Sequence, residues 1–297
     1  MRVRLGHDRR VNAVLQRVHD AVTRAREVTD HPVLEHLARV GLVAYGVLHV
    51  LIGWLAFRIA WFVQPSTADA DQTGALQAVA DTPGGEVLLW VIGLGMLGLA
   101  LWQAGEVLRW WTGLLRPEHR LRVAVVCAKC AAKAVVYAVL GGTSLFFAAG
   151  LEYEADERFQ DLTDEALEIP GGAALVVVVG VGVAAVGLYT LVRGFTGGFM
   201  RDVDLDAAPD RWEPLIERIG SVGYVAKGIA FALSGGLLVY AAAAHDVATA
   251  TGLDGAMNAI GAVPTGQWLL TAVAVGFAAF GVYALARARY PDRDPAS

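Results

Sequence analysis

Few side chains inside the long apolar blocks of this chain could do chemistry. Two are lysines, Lys133 and Lys227, the first about ten residues into its span. A lysine at that depth in a bilayer costs a few kcal/mol even on the lenient insertion scale, so it turns toward protein or water. Tyr45 holds the position equivalent to both when the chain is aligned on itself. Four residues further on stand His49, Tyr137 and Phe231. A second set is Glu106, Arg193 and Arg287. Each follows an aromatic by four residues and a glycine by eleven: Gly95 and Trp102, Gly182 and Tyr189, Gly276 and Tyr283. Glycine, aromatic and charge therefore share one helix face three times. Lys133, Lys227, Arg193 and Arg287 against Glu106 leave an excess of positive charge. With those faces turned inward they would form a basic pocket lined by Tyr45, His49 and Tyr137, suited to a small anion or an anionic lipid headgroup. Set apart, Glu106 is the one charge of opposite sign, and an ion pair with Arg193 or Arg287 is expected.

The elements that must hold these residues are membrane spans. The chain is 56% hydrophobic and only 18% charged, with 34 glycines in 297 residues. A soluble domain carries about 25% charged residues. The apolar residues fall in six blocks, at 40–63, 87–111, 123–150, 173–193, 219–244 and 266–288, and about 20 such residues cross a bilayer core. Basic residues cluster at alternate links. Eight arginines precede Val40; Arg116, Arg120 and Arg122 follow the second block; Arg201, Arg211 and Arg218 follow the fourth; Arg289 and Arg293 follow the sixth. The other three links are acidic, with eight acids from Glu152 to Glu168 in the middle one. Retention of Lys and Arg on the cytoplasmic side places both termini inside the cell membrane and the acidic loops outside.

Segment 1–31 has no apolar signal region. Val11, Val14, Leu15, Val18 and Val22 recur at helical spacing, with Arg10, Arg17 and Arg24 on another face. That is the pattern of a basic amphipathic helix, either lying on the inner leaflet or packed on the cytoplasmic loops.

The chain also repeats itself. The phrase "HPVLEHLARVGLVAYG" from His31 returns as "EPLIERIGSVGYVAKG" from Glu213, with a fainter middle copy, "AAKAVVYAVLGG", from Ala131. "GALQAVADTPGGEVLL" from Gly74 returns as "GAMNAIGAVPTGQWLL" from Gly255, and more weakly as "IPGGAALV" from Ile169. Pro83, Pro170 and Pro264 introduce the even spans, where a missing N–H costs nothing. The segments before Pro83 and Pro264 have helical spacing (Leu76, Val79; Met257, Ile260), so each reads as a short amphipathic helix. The organisation expected is a cytoplasmic segment 1–31, repeat 1 at 32–115, repeat 2 at 116–200, repeat 3 at 201–290 and a tail 291–297. The fold expected is all-α, a polytopic membrane protein: six transmembrane helices as three parallel two-helix repeats around a pseudo-threefold axis. Gly46 and Gly53, Gly228 and Gly235, and Gly141 in the middle copy form small-residue stripes along which helix backbones can approach closely.

The phrase "LARVGLVAYGVLHVLIGWLA" (37–56), the "GALQAVADTPGGEVLL" loop and the triplication resemble the bacterial membrane family called domain of unknown function 1206, over nearly all of residues 32–288. The middle copy departs from the pattern, with Cys127 and Lys129 where Arg39 and Gly41 stand. The resemblance implies six spans in three two-helix modules and no activity.

Enzyme signatures are missing: no HExxH, GxSxG, P-loop or dinucleotide fingerprint stands in a usable context. No cofactor or metal is expected, and no nucleic-acid partner. Cys127 and Cys130, as "CAKC" within a span, read as two small buried residues. The acids from Glu152 to Glu168 match no calcium-loop spacing and read as a solvated loop. The functional expectation is a structural or assembly component of the cell membrane; the alternative is a transporter, channel or binding protein for a small anion or anionic lipid.

Overall fold

A computed structural model describes residues 32–62, 72–111, 120–151, 155–204, 206–244 and 253–291. The expected amphipathic helix of segment 1–31 lies outside them. The described residues are helical: α1 (Pro32–Trp61), α2 (Gln72–Ala80), α3 (Gly85–Trp111), α4 (Arg120–Ala148), α5 (Ala155–Glu168), α6 (Gly172–Thr196), α7 (Glu213–Ala244), α8 (Leu253–Gly261) and α9 (Gly266–Arg289). Two short 3-10 turns, Gly198–Asp202 and Asp210–Trp212, join α6 to α7. Six of these helices are long and apolar enough to cross a membrane: Arg39–Trp61, Gly85–Trp111, Arg120–Ala148, Gly172–Thr196, Glu213–Ala244 and Gly266–Arg289. They coincide with the six apolar blocks. The helix often outruns the block, because the backbone ladder continues into polar sequence until a turn stops it. So α7 starts at Glu213, six residues before its apolar run, with Pro214 in the first turn where proline is tolerated.

Each pair of long helices is joined through a short helix and a tight turn. The two segments with helical spacing are α2 and α8. Ala75, Leu76, Ala256 and Met257 are fully buried on their inner faces. The middle counterpart differs from the solvated loop expected, because residues 155–168 form α5. Its Ala166 and Leu167 pack on Val176, Leu238 and Ala242, while Asp161, Asp164, Glu165 and Glu168 stay exposed. Three- and four-residue spacing separates the two faces.

The turn that follows is the same in all three copies. The N–H of Gly85 donates to the carbonyl of Thr82 at 2.9 Å, that of Gly172 to Ile169 at 2.9 Å and that of Gly266 to Val263 at 2.7 Å. Proline fills the second turn position each time. Gly84 and Gly171 fill the third with φ of 81° and 84°, the left-handed value a type II turn demands. The third copy has Thr265 there, with φ −103°, so it turns without the left-handed residue. The glycine that opens each long helix is required by contact. A Cβ on Gly85 would lie 1.8 Å from the Val79 carbonyl, one on Gly172 1.5 Å from Ala166 and one on Gly266 2.3 Å from Ile260.

The described chain divides into two compact units, 32–41 with 91–142, and 42–90 with 143–291. In the larger unit α6 and α7 lie against each other along glycines seven residues apart. A Cβ on Gly235 would come within 2.4 Å of the Ala184 nitrogen, and one on Gly228 within 2.6 Å of the Leu191 nitrogen. Gly180 and Gly187 answer from α6, and Ser221 donates to the Gly194 carbonyl at 2.7 Å. With lipid as apolar as leucine, such close backbone contact is what holds spans together. In the same unit α9 meets α1: a Cβ on Gly46 would approach the Gly281 carbonyl to 2.9 Å, and one on Gly53 the Ala274 carbonyl to 2.6 Å. In the smaller unit Gly141 of α4 faces the Gly93 carbonyl of α3 at 3.1 Å. Gly53, Gly141 and Gly235 are equivalent in the repeat, and so are Ala274, Gly93 and Gly180. One helix contact is thus made three times.

Candidate functional site: a buried lysine cluster and an aspartate clamp

The larger unit brings Tyr45, His49 and Lys227 together. Tyr45 and His49 are four residues apart on α1 and share a face. Lys227 reaches them from α7, and α9 supplies Phe277 and Phe280. The Lys227 amine donates to the Tyr45 hydroxyl. It also lies 3.1 Å from His49 Nε2. His49 Nδ1 is 2.8 Å from the Tyr45 carbonyl. A carbonyl can only accept, so Nδ1 carries the ring proton and Nε2 offers its lone pair to the amine. The amine also sits 4.1 Å from the centroid of Phe280 and 4.8 Å from that of Tyr45, a cation–π arrangement. Phe277 stacks on His49 at 6.0 Å. His49 is wholly buried and Lys227 is 7% exposed.

Lys133 and Tyr137 belong to α4 in the smaller unit. Tyr137 is buried there, while Lys133 is exposed. Cys127 and Cys130, on the same helix, are buried free thiols. Glu106, also in the smaller unit, pairs with Arg109 one turn away at 3.1 Å. Its other oxygen, Oε2, is buried without a hydrogen bond among the described residues.

Arg193 and Arg287 face a carboxylate that sequence reading did not single out. Gly197, with φ 68°, ends α6, and the 3-10 turn beyond it carries Asp202 back against the helix ends. Arg193 Nη2 lies 3.0 Å from Asp202 Oδ1 and donates to the Gly198 carbonyl at 2.8 Å. The Tyr224 hydroxyl donates to Oδ2 at 3.2 Å, and Arg287 Nη1 stands 3.9 Å from it. The Tyr283 hydroxyl holds the Phe199 carbonyl at 2.7 Å, and Asp204 N–H bonds the Tyr290 carbonyl at 3.0 Å. Glu106 was the acid expected beside Arg193 or Arg287; in the larger unit both arginines lie beside Asp202. The reason is proximity in the chain: the turn after α6 folds back on the helix that precedes it. Asp202 lies beyond the last residues of its span, where repeat matching carries no signal. The clue available was two arginines lacking a counter-charge beside the acid in "FMRDVD".

Phe280 links the two groups. It lies under the Lys227 amine and packs edge-on to Tyr224 at 5.3 Å. One carboxylate, two guanidinium groups and one amine therefore line a continuous polar and aromatic seam. Among the described residues no three metal-ligating side chains come together.

These features define a class: a multi-pass, all-helical membrane protein built from three two-helix repeats. The chain matches the family described as Domain of Unknown Function (DUF1206) three times in tandem, at residues 40–109, 128–197 and 222–291. It belongs to that family. It is also similar to a protein of Bacillus subtilis (strain 168) named "Uncharacterized protein YxxB". The two are 26% identical over 259 residues, which cover 87% of this chain and 92% of the relative. No solved structure matches.

Proposed function

We propose that the protein is a structural or assembly component of the cell membrane, a helical block whose polar groups serve to join one copy of the repeat to another. The observation that carries this reading is the enclosure of Lys227. Its amine is met by a phenol, an imidazole and an aromatic face, and 7% of the residue is exposed. Hydrogen bonds between spans hold helices together where hydrophobic force is absent. The Arg-rich ends support a cytoplasmic placement of both termini, with the acidic links outside. A double-mutant cycle on Tyr45→Phe and Lys227→Met, read by unfolding in detergent, tests the role. Coupling of about 1 kcal/mol between the two is expected for a joining pair. Additive effects of the two changes would count against it.

A second reading is favoured by the charge imbalance at Asp202, one carboxylate between two arginines. Together with Lys227, those arginines would make a basic site for a small anion or anionic lipid within the larger unit. Thermal-shift responses to anionic probes, compared between wild type and Lys227→Met, separate the two readings. Identical responses sink the second.

A further inference from the structure

Where α7 begins and α9 ends, the larger unit has a cleft of about 320 Å³. That lies at the lower end of the roughly 300–1,000 Å³ typical of ligand pockets. Leu215, Ile219 and Val282 wall it, and its rim carries Trp212, Arg289 and Tyr290. Arg289 is the one charged residue in its lining. The Arg211 guanidinium lies 5.7 Å over the Trp212 ring, which puts a second cation beside the same rim. Glu213 and Glu217, on the first turns of α7, are exposed and take no part in the lining.

We propose that this cleft binds one anionic phospholipid, with an acyl chain laid between α7 and α9 and the phosphate held at the rim by Arg289 and Arg211. Three observations converge. The walls belong to the first turns of α7 and the last turns of α9, both membrane-spanning, so the cleft opens where acyl chain gives way to headgroup. The rim pairs tryptophan and tyrosine with arginine, the residue types that settle at that level. The charge in the lining is positive, Arg289, complementary to the phosphate of a lipid with no cationic headgroup to offset it. The floor is packed: Tyr283, whose hydroxyl bonds the Phe199 carbonyl, lies with Ile216 and Tyr224 in one buried cluster. This site shares no residue with the lysine cluster and depends on neither functional reading above.

The test uses the full chain purified in detergent and titrated with phosphatidylglycerol, phosphatidylcholine of the same chains, and glycerol phosphate. Native mass spectrometry reads the bound lipid and thermal unfolding reads its effect. The wild type is expected to retain phosphatidylglycerol about fivefold more tightly than phosphatidylcholine, the preference one arginine near a headgroup supports. Arg289→Gln should weaken that preference while unfolding, lipid-free, as the wild type does. Ala286→Phe, which fills the cleft, should lose both lipids; Val275→Phe, on an exposed stretch of the same helix, should keep them. Should Ala286→Phe fail to fold, Arg289→Gln decides alone. Equal retention of the two lipids by the wild type, an unchanged preference in Arg289→Gln, or competition by glycerol phosphate without a chain would each overturn the proposal.

Discussion

Lys227 and Lys133 occupy the same position in two copies of one repeat, and the structure treats them oppositely. Lys227 is enclosed by Tyr45, His49 and Phe280. Lys133 is exposed on α4. The glycines show a milder version of the same contrast. Around Gly235 backbone stands within 2.4 Å of where a Cβ would be, whereas at the equivalent Gly141 the nearest atom is Leu97 Cγ at 3.0 Å, with the Gly93 carbonyl at 3.1 Å. Carboxylates differ too. Asp202 is shared by two arginines and a tyrosine, while Glu106 has its neighbour Arg109, whose side chain is 37% exposed. Repetition fixes where a residue sits on its helix. Its environment comes from what other helices bring to that face, and those neighbours diverged. In the larger unit α6 and α7 approach to backbone contact along Gly187 and Gly235.

The contrast can be broken by paired substitutions. The largest difference is expected at the carboxylates. Asp202→Asn leaves Arg193 and Arg287 facing a neutral amide at a buried site, which should cost about 3–5 kcal/mol. Glu106→Gln should change stability by no more than about 1 kcal/mol, because its partner is partly solvated. Equilibrium unfolding in detergent reads both; equal losses would erase the distinction between the sites.

Next come the glycines. Gly235→Val drives a side chain into the backbone of α6 and should cost about 3 kcal/mol. Gly141→Val meets a leucine that can shift and should lose about half as much. Gly236→Val, with open space at its Cβ, supplies the control, and a loss there equal to that of Gly235→Val would refute the close-contact account.

The lysines follow. Lys227→Met removes the donor to Tyr45 and His49 and should cost about 1–3 kcal/mol, while Lys133→Met should unfold with the wild type. A reversed order would show that the enclosure of Lys227 contributes nothing. Within the lysine cluster the smaller effect is expected of Tyr45→Phe, about 1 kcal/mol for one hydrogen bond, with His49 still in place to receive the amine.

Much of this protein was legible in its residues. The six apolar blocks became the six long helices, because length and hydropathy alone decide whether a segment can span. The echo of "VGLVAYG" in "VGYVAKG" announced the triplication, and Leu76 and Met257 marked the buried faces of α2 and α8. Sequence pattern stopped short at α5, where a run of acids hid the face made by Ala166 and Leu167. It did not show that Tyr45, His49 and Lys227 touch, although it put them on equivalent faces.

The sequence by itself determined the helices, the copies and the residues that share a face, since these depend on neighbours along the chain and on the helical period. Only the tertiary structure decided that Lys227 meets His49 and that Asp202 answers Arg193 and Arg287. Those contacts join separate helices, and which helix comes to lie beside a given face is a property of packing that no local pattern encodes.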